Sequence, residues 1–128
     1  MSDILEFIRH QKELGLPNID SSKRCNLRCA DCARAHLKWP NGSMEREYMK
    51  DRFAIIDDMT VESMEKMIEF FDHGVGMCGQ ISDPIFNPNF FDFLELKKMQ
   101  FPHKRFLIHT AAHQKSLDWY KKAFELSD

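Results

Sequence analysis

The chain has little of several things. It holds four cysteines, five glycines and five prolines in 128 residues, and its formal net charge is only −2. So small a charge removes the basic footprint that a nucleic-acid binder carries, and no nucleic-acid partner is expected. No window is long and apolar enough to cross a bilayer. The opening "MSDILEFIRHQKELG" carries charges throughout its apolar run and reads as neither signal peptide nor membrane span. Internal repeats and low-complexity tracts are absent. With no secretion signal read, a cytoplasmic location is the default. Thiols stay reduced there, and closely spaced cysteines bind metal or do redox work more often than they form disulfides.

What is present describes a folded domain. A hydrophobic fraction of 43% and eleven phenylalanines exclude a disordered chain. The length gives one domain over 1–128, with a core that needs no disulfide support.

Local patterns predict the elements. Ser2 caps a first helix over 1–15, where Ile4, Phe7, Ile8 and Leu14 recur near helical spacing until Gly15 and Pro17 stop it. "LPNIDSS" at 16–22 reads as a short strand. Residues 37–58 begin with turn chemistry in "WPNGS" and continue as a charged connection. Thr60 caps a helix whose Val61, Met64, Met67, Ile68 and Phe71 share a face, ending at Gly74. "VGMCGQ" at 75–80 has strand length, "ISDPIFNPN" is loop-like, "FFDFLELKKM" is a helix, "RFLIHT" at 105–110 a strand and "SLDWYKKAFELS" a last helix. Strands alternating with helices predict an α/β architecture with parallel strands. Its ligands gather at the C-terminal strand ends, where the cysteine loop, "GQISDP" and "TAAH" all fall.

"KRCNLRCADCARAH", 23–36, carries Cys25, Cys29 and Cys32 at three-then-two spacing, followed by His36. Those four side chains would complete a tetrahedral zinc site, although all sit within one loop rather than on paired knuckles. Three thiolates alone would cap three irons of a four-iron cube and leave the fourth open to a small molecule. Unligated core cysteines are the third reading. Cys78 reads as a small buried residue at a strand end. Of the histidines, His36, His103, His109 and His113 read as solvent-facing or hydrogen-bonded, with His109 the one nearest the expected site. Asp83 is either a site residue or the start of an Asp-Pro turn. Met59, Met64 and Met67 are packing residues, and Trp119 and Tyr120 pack on the last helix.

"CNLRCADC" resembles the cluster loop of the radical S-adenosylmethionine superfamily. "CGQISDPIFNPNFFDFLELKK" is similar to that family's second-strand segment, and "RFLIHTAAHQKSLDWYKKA" to its third strand and following helix. The resemblance runs over about 17–126. It implies a partial (βα) barrel over 16–128, with about three parallel strands, flanking helices and the N-terminal helix. This corresponds to the first half of the family barrel. It implies a [4Fe–4S] cluster on Cys25, Cys29 and Cys32, and S-adenosylmethionine contacted by Cys78, Gly79, Gln80, Ser82 and Thr110. The implied chemistry is reductive cleavage of S-adenosylmethionine to a 5′-deoxyadenosyl radical, with a flavodoxin or ferredoxin as reductant. The substrate would be a small molecule or peptide, and a second polypeptide would complete the barrel. The chain departs from the family pattern at Asp31, where an apolar residue is usual, at Gln80, where an acid is usual, and at Ala111-Ala112, where Asn-Gly is usual. The alternatives are a zinc-binding module through Cys25, Cys29, Cys32 and His36, and an inactive barrel fragment that keeps the loop.

Overall fold

The computed structural model describes residues 2–22, 24–25, 57–77 and 82–127. Among these the fold mixes helices α1 (Ser2–Leu14), α2 (Val61–Phe70), α3 (Phe90–Gln100) and α4 (Leu117–Ser127) with strands β1 (Gly74–Met77) and β2 (Arg105–Ile108). A 3-10 turn, Pro84–Phe86, lies between β1 and α3. The strands form a two-stranded parallel sheet in which Gly74 faces Arg105 and Met77 faces Ile108.

Local chemistry explains most boundaries. Thr60 caps α2 as expected, its Oγ1 accepting from the Ser63 amide at 3.2 Å. At the other end the Lys104 ammonium donates to the carbonyls of Ile68 (2.7 Å) and Glu69 (3.1 Å). These are acceptors that a helix terminus leaves unpaired. In α3, Asp92 stands in the first turn and Lys97 and Lys98 in the last, matching the helix dipole.

The core lies between β1, α2 and α3: Met64, Ile68, Val75, Met77, Phe90, Phe93, Leu94 and Leu96, with Ile85 of the 3-10 turn. Met59 and Met67 pack against it, as packing residues should. Trp119 of α4 stacks on Phe90 at 5.3 Å between ring centroids, fixing the last helix.

Four expectations change. The strand expected over 16–22 contributes a single parallel bridge, Asn18 to Gly76. The Gly76 amide donates to the Pro17 carbonyl and the Ile19 amide to Gly76, both at 2.8 Å. Beyond that point the backbone changes partner, and the Ser21 carbonyl accepts from the Met59 amide (2.8 Å) and Asn87 Nδ2 (2.6 Å). Gly74 does not end α2, since Phe71 caps that helix and Gly74 opens β1. Its φ of +108° suits glycine, and a Cβ there would collide with the Arg105 backbone. Finally, β2 stops at Ile108 rather than 110, and the apolar stripe of α1 points outward, leaving Ile4, Leu5 and Phe7 exposed. α1 is fastened by polar contacts instead, with Lys12 3.3 Å from Asp72 and the Asp72 amide donating to the Lys12 carbonyl.

β1 is buried along its whole length, while β2 alternates exposed and half-buried residues. Among the described residues no strand pairs with the outer edge of β2. None of the described helices is long and apolar enough to cross a membrane.

Candidate functional site

The segments that follow Asn18, β1 and β2 run parallel, so their C-terminal ends lie at one edge. Two carboxylates tie them together. Asp20 Oδ1 accepts from the Ser82 amide (3.2 Å) and the Ser82 hydroxyl (2.9 Å), linking the first segment to the one after β1. Asp83 makes the second tie. Its Oδ2 accepts from the Thr110 hydroxyl and the Ala111 amide, both at 2.9 Å, joining the loop after β2. Its Oδ1 accepts from the Ile85 amide at 3.2 Å and caps the 3-10 turn. Its own amide donates to the Arg24 carbonyl at 3.0 Å.

Asp83 is therefore a turn starter and a junction at once. Its side chain is only 5% exposed, which raises the value of each charge-assisted bond it accepts. Among its neighbours is His113, whose Nδ1 lies 3.9 Å from Asp83 Oδ2. The Phe86 ring meets the His113 ring edge-on at 5.3 Å. Tyr120, reaching in from α4, has its phenol pushed above the usual range by burial, with the Asp83 carboxylate adding to the effect.

On the other side of the site, the Arg24 guanidinium grips Asp58, with Nε 3.0 Å from both carboxylate oxygens and Nη2 2.8 Å from Oδ2. The Asp58 hydrogen bond and charge raise the Arg24 proton affinity. The Arg24 side chain is largely exposed, so the pair orients the chain beside Cys25 more than it stabilises the fold. The Arg24 amide donates to Ser22 Oγ at 3.0 Å, and Ser22 is fully buried. Asn87 completes the frame. Its Nδ2 donates to the Ser21 and Met59 carbonyls (2.6 and 3.3 Å), and its Oδ1 accepts from the Asn89 amide at 2.8 Å.

The chain matches no protein-family model, no curated protein and no solved structure.

Of the residues singled out by sequence, Cys25 is half-buried at the mouth of the first segment. Ser82 and Thr110 stand in the two carboxylate ties. Cys29, Asp31, Cys32, His36, Cys78, Gly79 and Gln80 lie outside the described residues. Among the described residues no group of three or more His, Cys, Asp or Glu side chains is placed to hold a metal ion. His109 is exposed, and its amide donates to the Met77 carbonyl at 3.0 Å. His113 is the histidine that meets the site. Asp20, Asp58 and Asn87 were not read from sequence as site residues. Asp20 and Asn87 bond partners 62 and 66 residues away, a distance that no local pattern encodes. A faint signal existed in "DPIFNPN", where Asp and Asn both precede proline and favour side-chain-to-backbone turns.

Proposed function

We propose that this chain is the cluster-bearing part of a radical S-adenosylmethionine enzyme with a partial (βα)-barrel fold. Cys25, Cys29 and Cys32 would hold a [4Fe–4S] cluster. One observation carries the reading: the three-then-two cysteine spacing, whose first member follows Arg24, the residue whose carbonyl accepts from the Asp83 amide. The donor set fits the group, because thiolates are the usual outer ligands of iron in such clusters. A reducing compartment such as the cytoplasm keeps those thiols available. When bound, the cluster supplies the electron that cleaves S-adenosylmethionine to methionine and a 5′-deoxyadenosyl radical.

The chain's own residues position the cofactor. Ser82 donates its hydroxyl proton to Asp20, and Thr110 donates its own to Asp83. A hydroxyl whose proton is committed in this way meets a ligand as an acceptor. That polarity suits the ammonium end of S-adenosylmethionine, for which Cys78, Gly79 and Gln80, next in sequence after β1, would supply backbone acceptors. Asp83 keeps the segments after β1 and β2 in register while the ligand is bound. The reductant would be a flavodoxin or ferredoxin, and the substrate a small molecule or peptide. A second polypeptide paired along β2 would extend the barrel.

The test is anaerobic reconstitution with iron and sulfide, followed by electron paramagnetic resonance after reduction. A four-iron signal that changes on adding S-adenosylmethionine is expected, with 5′-deoxyadenosine formed under dithionite and both lost in Cys25→Ala. A colourless protein holding one tight zinc, released by His36→Ala, would overturn the reading. A cluster whose resonance ignores S-adenosylmethionine would reduce it to a binding fragment without chemistry.

A further inference from the structure

The segment after β2 contains one histidine, His113, that cofactor binding does not use. Residues 109–112 and 114 are exposed, while His113 between them turns inward. The turn is made at some cost, because Ala112 and Gln114, on either side, have φ of 51° and 62°. Left-handed backbone at non-glycine residues persists only where the surroundings enforce it, and it concentrates at functional positions. Both ring nitrogens of His113 are buried, and among the described residues neither has a hydrogen-bond partner. A neutral imidazole buried with its donor and acceptor both unpaired is a poor end state. The nearest charged oxygen is Asp83 Oδ2 at 3.9 Å. That is about 1 Å beyond a charge-assisted N–H···O bond.

We propose that His113 and Asp83 form a proton-operated latch, open when the imidazole is neutral and closed when it takes a proton. Closure brings His113 Nδ1–H onto Asp83 Oδ2 and clamps the loop after β2 to the cap of the 3-10 turn. The groups around the pair favour this. From the 3-10 turn come the Asp83 carboxylate and the Phe86 ring, which meets the imidazole edge-on. From α4 comes the Tyr120 phenol, neutral in the working range because burial and Asp83 both hold its proton. From the loop itself comes Lys115, whose ammonium sits 5.0 Å over Phe86 and 5.3 Å over Trp119. The rings hold that cation, and Asp83 remains the anion available to His113. A doubly protonated imidazole donates from both nitrogens, so the latch closes when His113 takes a proton. It immobilises Thr110 and Ala111, the two residues already bonded to Asp83.

Amide hydrogen exchange on the iron-free chain tests this, with each rate corrected for its intrinsic pH dependence. The Ala111 amide is the reporter and the Phe93 amide, in the core helix α3, is the reference. Between pH 8 and pH 5.5 the Ala111 protection should rise about tenfold relative to Phe93, the scale of one hydrogen bond to a charged group. In His113→Gln, which carries no titratable proton, that rise should vanish, and His113→Asn gives the same comparison if the glutamine variant folds poorly. A flat wild-type profile would overturn the latch. So would an equal rise at Phe93, or a rise that survives both substitutions. No cluster is needed for the measurement, so its failure is separable from failure of the cluster reading.

Discussion

Replacing Asp83 by asparagine removes one charge and one acceptor while keeping the shape, and the consequences follow from three distances. Oδ2 accepts from Thr110 Oγ1 and the Ala111 amide at 2.9 Å each, and Oδ1 from the Ile85 amide at 3.2 Å. An asparagine offers one oxygen and one NH2. If the oxygen faces Thr110 and Ala111, the NH2 opposes the Ile85 N–H, and Ile85 is only 3% exposed, so water cannot replace the lost acceptor. If the amide flips, two donors lose their acceptor, although Thr110 and Ala111 are exposed enough to recruit solvent. The first orientation is cheaper. It costs one unsatisfied buried amide, about 1–3 kcal/mol, plus the weakening of two bonds from charged to neutral, for a total of about 2–4 kcal/mol. Urea denaturation at pH 7 reads this directly, as a drop in midpoint of roughly 1–2 M at unchanged slope. A loss below about 0.5 kcal/mol at unchanged slope would refute the claim that Asp83 is a structural junction.

Gly74→Ala should cost at least about 3 kcal/mol, because the strain of φ +108° adds to a Cβ driven into the Arg105 backbone. Thermal unfolding checks it, and a loss under about 1 kcal/mol would mean the two strands separate there without penalty. Tyr120 gives an alkaline prediction. Its folded phenol is raised above its ordinary value of 10.0 by burial first and Asp83 second. Its contribution is therefore intact below pH 10 and declines as pH rises through the folded value. Tyr120→Phe should leave stability at pH 7 unchanged or slightly higher, since the hydroxyl has no partner among the described residues. It should also flatten the loss of stability above pH 10, as followed by circular dichroism against pH. A large loss at pH 7 would show that the hydroxyl is bonded after all.

The helices were readable because their signals are local. Thr60 announces α2 three residues ahead of the amide it caps, and α3 carries an acid in its first turn and two bases in its last. The strands were less readable because their ends depend on partners. "LPNIDSS" has strand composition, yet after Ile19 its backbone bonds Met59 and Asn87 in place of β1, so one bridge stands where a strand was expected. Gly74 reads locally as a helix stop, and only the neighbouring strand, in contact with the place a Cβ would occupy, makes it a strand opener. His109 was the histidine nearest the expected site, yet it is exposed, and past the left-handed residue Ala112 it is His113 that lies beside Asp83.

By itself the sequence determined the mixture of helices and strands, the Thr60 cap of α2, and the cysteine spacing on which the proposed chemistry rests. These depend on contacts within a few residues, where side-chain size, polarity and period act directly. The tertiary structure alone decided that Asp20 and Asp83 would bind the strand ends together and that a half-buried histidine would face one of them. Those contacts join residues from 27 to 62 positions apart, and a carboxylate's partner at that range is chosen by how the backbone packs.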